Sequence, residues 1–207
     1  LLVVTGATIL IAIDIAPLYT SIWESLRYSV FQVASIISTT GFATADFVLW
    51  PHFSQTILVL LMFCGACAGS TGGGIKCSRV LILLRSIRRE IHRVIHPRSV
   101  EVVKLDGKVV EEDTLRSISV FVGSYLFIIL AATLIISLDD FPFSVSFSSA
   151  LTCISNVGPG LELVGPTGNF SAFSHLSKIV MSLCMIIGRL EIFPILVLFS
   201  RQAWRHT

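Results

Sequence analysis

This sequence has little charge. Only 14% of its 207 residues are Asp, Glu, Lys or Arg, while 54% are hydrophobic. A soluble domain carries about 25% charge. The shortage excludes an ordinary soluble enzyme or a nucleic-acid-binding module and reads as a polytopic membrane protein. Chemistry-bearing clusters are missing too. No nucleophile–base pair and no metal-ligand spacing falls at one depth, so the chain is expected not to be an enzyme and to hold no organic cofactor. The cysteines Cys64, Cys67, Cys77, Cys153 and Cys184 all sit in apolar segments. Cys64-Gly-Ala-Cys67 has the C-x-x-C spacing outside any redox context, so reduced thiols are expected. A phosphate loop is absent, because Ile75 intervenes between the last glycine and Lys76. No cleavable signal peptide is read. The opening run Leu1–Ile13 is shorter than the ~20 residues of one crossing, which reads as a fragment with its N-terminal part missing.

What charge there is falls unevenly. Ten of the fifteen Lys and Arg lie between Lys76 and Arg116, and Arg201 and Arg205 lie near the end. The positive-inside rule puts both regions, and so the C-terminus, in the cytoplasm. Asp14, Glu24, Asp46, Asp139, Asp140 and Glu162 then fall outside. That pattern suits cation uptake by raising the local cation concentration; setting topology alone is the other reading.

The chain repeats itself. Ser38-Thr39-Thr40-Gly41 lines up with Ser155-Asn156-Val157-Gly158 at an offset of 117 residues, and Phe53-Ser54 with Phe170-Ser171 at the same offset. Each four-residue stretch ends a short apolar run. Ile22–Ile37 is about 24 Å long as a helix, and the acidic loop after it must return to the same side. It reads as a re-entrant helix followed by extended backbone, and such backbone is tolerated at membrane depth only where it is protein-buried or lines a cavity. Pro142–Ile154 is the second such helix. The expected fold is all-α, built as two units of membrane helix, pore helix, filter and membrane helix.

In order, Leu1–Ile13 reads as the outer end of a membrane helix closed by Asp14 and Pro17. Phe53–Ala66 runs inward and breaks in residues 65–74, where five of ten are Gly at about 1 kcal/mol each in a helix interior. Ile75–Ile95 resumes as a basic helix. Pro97–Glu112 is a soluble connector whose alternation around Asp106-Gly107 signals a β-hairpin. Asp113 or Thr114 caps a full span, Leu115–Leu138. Ser171–Ser200 is the last inward helix. The domains are 1–96 (third pore repeat), 97–113 (connector hairpin) and 114–207 (fourth pore repeat).

The expected filter residues are Thr39, Thr40, Gly41 and Phe42 with Asn156, Val157, Gly158 and Pro159, whose carbonyls replace an ion's hydration shell. Residues Gly69, Ser70, Thr71, Gly72, Gly73 and Gly74 are either a gate below the filter or helix-packing glycines. Arg189, deep in an apolar helix, costs at least about 2.5 kcal/mol unless it faces a cavity or partner. The carbonyls of Gly69–Gly74 are its expected partners, and it would set a barrier to cations. Glu191, two residues on, points elsewhere, and Pro194 kinks the helix. Lys178 snorkels outward. His52 and His175 are interfacial, and His92 and His96 lack acidic or Cys neighbours for a metal. The cluster Arg85, Arg88, Arg89 and Arg93 contacts anionic lipid or docks a cytosolic partner. A non-conducting scaffold that docks such a partner is the rival to a pore.

Three motifs carry a family resemblance: Ser38-Thr-Thr-Gly-Phe-Ala-Thr-Ala-Asp-Phe, Ala68-Gly-Ser-Thr-Gly-Gly-Gly-Ile-Lys and Gly188-Arg-Leu-Glu-Ile-Phe-Pro. Together they resemble the Trk/Ktr-type potassium uptake proteins of bacteria, in the C-terminal half of the membrane subunit. The resemblance implies a four-repeat pore in the bacterial inner membrane with one filter glycine per repeat, here Gly41 and Gly158. Potassium would bind at Thr39, Thr40, Gly41, Asn156, Val157 and Gly158. The glycine break corresponds to an intramembrane gating loop and Arg189 to the barrier under the filter. The partners implied are membrane lipid, a second copy of the full-length protein and a cytosolic nucleotide-binding regulatory subunit.

Overall fold

A computed structural model describes residues 2–65, 72–96, 102–105 and 107–190. Seven helices dominate these residues: α1 (Leu2–Ile15), α2 (Ile22–Ile37), α3 (His52–Phe63), α4 (Cys77–Ile95), α5 (Glu112–Ile136), α6 (Phe143–Ser155) and α7 (His175–Arg189). The short α2 and α6 sit inside: α1 packs on α2, α5 and α7 pack on α6, and α3 touches both α2 and α6. One continuous apolar core joins the two halves, with Ile11, Ile15, Val33, Ile36, Leu58, Met62, Ile129, Leu151 and Ile154 all buried in it. With its 3-10 extension to Asp139, α5 is the one described helix long and apolar enough to cross a membrane alone.

The two inner helices invert the usual pattern. Their buried faces are rich in hydroxyls and amide: Ser25, Ser29, Gln32 and Ser35 on α2, and Ser146, Ser148, Ser149, Thr152 and Ser155 on α6. Small polar residues let neighbouring helices approach closely, and each hydroxyl can bond backbone. Ser29 donates to the Ser25 carbonyl at 2.7 Å and Gln32 to the Ala45 carbonyl at 2.8 Å.

Most expected elements are present, and α2 has the expected bounds. The hairpin is present as well, with β3 (Lys104–Leu105) and β4 (Lys108–Val109) pairing antiparallel and Gly107 left-handed at φ +80. Several boundaries differ, four of them informatively. The helix α3 stops at Phe63, three residues before Ala66, because β1 (Cys64–Gly65) pairs in parallel with β2 (Ile75–Lys76) across the glycine stretch. The Cys77 thiol donates to the Gly65 carbonyl at 3.4 Å and closes that pairing. The helix α5 starts at Glu112, inside the expected connector, and Glu111 rather than Asp113 or Thr114 stands at its N-cap, with no side-chain bond. Pro142 is the N-cap of α6 rather than part of its first turn. Finally, α7 starts at His175 rather than Ser171. The Ser171 N–H and hydroxyl are both taken by the Asn169 side chain, and Ser174 supplies the N-cap.

That last difference revises the repeat. The offset of 117 holds through the filter segments but not to the next helix. His52 and His175 open α3 and α7, and Ser54 and Ser177, both fully buried, follow two residues later at an offset of 123. The second mouth loop is six residues longer. The helices α3 and α7 are nevertheless fastened in the same way. Asp14, in the last turn of α1, accepts from both the N–H (3.1 Å) and the hydroxyl of Ser54. Asp139, at the end of α5, accepts from the N–H of Ser174 at 3.0 Å. An acidic oxygen at a helix N-terminus meets free N–H groups and the positive end of the dipole.

Hydrogen bonds to charged groups contribute about 1.5–3 kcal/mol. Asp14→Ala is therefore expected to lower stability by about that amount and Ser54→Ala by less, measured as thermal unfolding in detergent.

Candidate functional site

The site is built by what happens just past the ends of α2 and α6. Thr39 and Asn156 are left-handed at φ 55 each, and Gly41 and Gly158 at φ 75 and φ 110. The residue between each pair, Thr40 or Val157, is not. Handedness therefore alternates residue by residue in both segments, at the same offset of 117. Such alternation turns successive peptide groups to one side, where a strand would alternate them.

The hydrogen bonds say which side. The N–H of Thr39 bonds the Ile36 carbonyl at 3.0 Å and that of Thr40 the Ser35 carbonyl at 2.9 Å. In the second segment the N–H of Asn156 bonds Cys153 at 3.2 Å and that of Val157 bonds Thr152 at 3.1 Å. The N–H groups point back to their helix. Because a trans peptide sets C=O opposite N–H, the carbonyls of Ser38, Thr39, Ser155 and Asn156 point away from it. The helix C-termini add negative potential on that side.

One clamp closes both loops. Ser35 donates its hydroxyl to the Phe42 carbonyl at 2.6 Å, and Thr152, its counterpart at offset 117, donates to the Pro159 carbonyl at 3.1 Å. Thr152 also accepts from the Gly158 N–H at 2.9 Å. Phe42 and Pro159, expected as filter residues, thus have their carbonyls fastened to the helix, and the outward carbonyls belong to the residues before them. Behind the second segment, the buried Tyr125 hydroxyl bonds Ser155 at 2.7 Å.

The two segments abut. A side chain on Gly41 would strike the Val157 carbonyl and lie 3.1 Å from the Pro159 ring. Gly158 meets nothing there, so its requirement is conformational only. Above the seam, Gly41, Phe42, Ala43, Gly158 and Pro159 with the second mouth loop line a recess of about 400 Å³. Asp46 accepts from the Thr167 hydroxyl at 3.2 Å and ties the two mouth loops together.

Below the second segment, two glycines converge. A side chain on Gly73 would lie 2.5 Å from the Ser155 carbonyl, and one on Gly188 would strike the Ile154 carbonyl. Both would lie 3.0 Å from the amide nitrogen of Asn156, which itself donates to the Met185 carbonyl at 3.2 Å. Gly72, Gly73 and Gly74 of the expected gate therefore lead in directly under this segment, and the exposed Arg189 follows Gly188 at the end of α7. Gly69, Ser70 and Thr71, like Glu191 and Pro194, lie outside the described residues. The four described cysteines are free thiols; Cys67 lies outside.

Sequence reasoning missed Ser35, Thr152, Tyr125 and the Asn156 side chain. The first two had a signal, since a hydroxyl recurs at the offset of the filter glycines. The others depend on which side chains meet, and no spacing announces that.

A family model described as TrkH, cation transport protein, matches residues 15–205. The chain belongs to the TrkH family of cation transport proteins. Among its relatives, the Trk system potassium uptake protein TrkH of Salmonella typhimurium is 36% identical over 192 residues, covering 91% of this chain and 39% of that protein. The Trk system potassium uptake protein TrkG of Escherichia coli is 35% identical over 181 residues, covering 87% and 37%. The crystal structure of the potassium transporter TrkH from Vibrio parahaemolyticus superposes with a TM-score of 0.88 at 31% identity, covering 98% of this chain and 43% of that one. The resemblance drawn from three motifs is borne out, and the chain spans about two fifths of the length of these relatives.

The Thr152 clamp makes two hydrogen bonds through one hydroxyl. Thr152→Val keeps the shape and leaves both partners unsatisfied, at about 1–3 kcal/mol each. It should lower thermal stability clearly, while Thr152→Ser stays near the parent in the same melting experiment.

Proposed function

We propose that this chain forms two of the four walls of a potassium-conducting pore in the bacterial inner membrane, with the C-terminus cytoplasmic. The carrying observation is the matched pair of loops: alternating handedness, N–H groups turned back to the helix and a hydroxyl clamp, all at one offset. Potassium exchanges its hydration shell for oxygens of Thr39, Thr40, Gly41, Asn156, Val157 and Gly158, at the negative ends of α2 and α6. Rings of oxygens held at fixed spacing favour the ion whose shell they replace best. The remaining two walls come from residues beyond this chain, in keeping with its share of the relatives' length.

The stretch Gly69–Gly74 is the gate, and Arg189 is a fixed positive charge beneath the filter. The contacts of Gly73 and Gly188 with the Ser155–Asn156 end of α6 support that reading, because a shift in the glycine stretch alters the floor of the second wall. Pairing with a second copy and with a nucleotide-binding regulatory subunit at the basic face completes the assembly implied by the family.

The test is paired potassium and sodium flux in liposomes carrying the protein with all four repeats. Gly41→Ser should lower potassium selectivity over sodium at least about tenfold, because a side chain at Gly41 meets the backbone of the neighbouring wall. Unchanged relative permeability would remove the filter assignment, and absence of flux from the parent would favour the scaffold. Arg189→Ala should raise potassium flux; a fall in flux from a normally folded variant would contradict the barrier role.

A further inference from the structure

The basic helix α4 carries a groove that neither filter nor gate uses. It lies between α4 and the hairpin, has a volume of about 310 Å³, and is lined by Arg85, Arg88, Arg89, His92 and Lys104 over Val102 and Val103. Its cations are not equally occupied. Arg89 is neutralised by Glu112 and by Glu90 at 3.0 Å. Arg85 donates to the Lys104 carbonyl, which pins the hairpin to the helix, and forms no ion pair among the described residues. Arg88 forms no ion pair among the described residues. A guanidinium presents a planar fork of donors suited to a phosphate group.

Two further observations narrow the ligand. The first is depth. Taken from His52 at the outer boundary and along the membrane normal, the twelve residues of α3 span about 18 Å, which would take Phe63 just past the middle of a ~30 Å hydrocarbon layer. Because β1 pairs with β2, α4 starts from the same level. About eight to twelve residues later, at 1.5 Å each, the helix leaves the hydrocarbon, and that is where Arg85 and Arg88 stand. The second is the neighbouring surface. Leu81, Leu84 and Ile87 are 47%, 58% and 49% exposed. Leu81 and Leu84 precede Arg85 and Arg88 by one helical turn each, so each of these two cations has an apolar side chain one turn before it.

We propose that this groove is a binding site for an anionic phospholipid, its phosphate held by Arg85 and Arg88 and its acyl chains lying along Leu81, Leu84 and Ile87. A soluble anion would use the guanidinium groups and leave the apolar strip bare. A zwitterionic lipid would use the strip but bring its own cation into a positive groove. The inference rests on the depth of α4 and stands apart from the filter reading.

The test is native mass spectrometry of the purified four-repeat protein, titrated in detergent with dioleoylphosphatidylglycerol, dioleoylphosphatidylcholine or inorganic phosphate. Phosphatidylglycerol should be retained and phosphatidylcholine should not. Arg88→Gln should weaken retention about fivefold and Arg88→Glu more, in line with the contribution of one basic side chain at an anionic surface. Because Arg88 is exposed and forms no ion pair among the described residues, both variants should melt as the parent does. Arg116→Gln, on α5 outside the groove, should leave retention unchanged, and millimolar phosphate should not displace the lipid. Equal retention of the two lipids, undiminished phosphatidylglycerol binding in Arg88→Glu, or displacement by phosphate would each overturn the proposal.

Discussion

A backbone carbonyl at membrane depth costs several kcal/mol unless something polar meets it, and this chain turns several of them away from their helices on purpose. The N–H groups of Thr39, Thr40, Asn156 and Val157 are directed back to the helix ends, so the carbonyls of Ser38, Thr39, Ser155 and Asn156 point away from them. Left-handed Thr39, Gly41, Asn156 and Gly158 keep the peptide groups facing one way, and Ser35 and Thr152 hold the far ends of the loops. The strain of non-glycine left-handed residues, of order 1–3 kcal/mol each, persists only because these bonds over-determine the loop. In the proposed pore, a permeating cation would be the missing partner.

The rest of the molecule follows from that constraint. The inner helices must be short, or their ends would not stop at depth. They must be surrounded, so α1, α3, α5 and α7 close around them with a common apolar core. Of the hydroxyls on their hidden faces, those of Ser35, Ser148 and Thr152 bond the backbone of the loops beside them. Asp14 and Asp139 fix the outer ends of the return helices, so the mouth loops connect rigid points. Glycine then appears where backbone meets backbone: Gly41 against the second wall, Gly73 and Gly188 against the end of α6.

Much of this was legible in the residues themselves. The scarcity of charge, the clustering of Lys and Arg after Lys76 and the duplicated Thr-Thr-Gly and Asn-Val-Gly segments led to the fold and to both loops. The hairpin showed itself through Asp106-Gly107, since few residues adopt the turn it needs. The six-residue extension of the second mouth loop was hidden, because Phe170-Ser171 mimics Phe53-Ser54 while its backbone is tied up by Asn169. The early end of α3 was hidden as well, since a two-residue parallel pairing leaves no periodicity. Tyr125 and the Asn156 amide were invisible for a different reason. They act through partners 30 and 29 residues away, and only packing brings such pairs together.

In the proposed pore, carbonyls past α2 and α6 coordinate a monovalent cation. The most direct measurement is the anomalous scattering of rubidium or thallium soaked into crystals of the four-repeat protein. The account predicts peaks on the pore axis about 3 Å from the carbonyl oxygens of the Thr39–Gly41 and Asn156–Gly158 segments. Peaks confined to acidic side chains of the mouth, with those carbonyls bare or turned toward their helices, would contradict it.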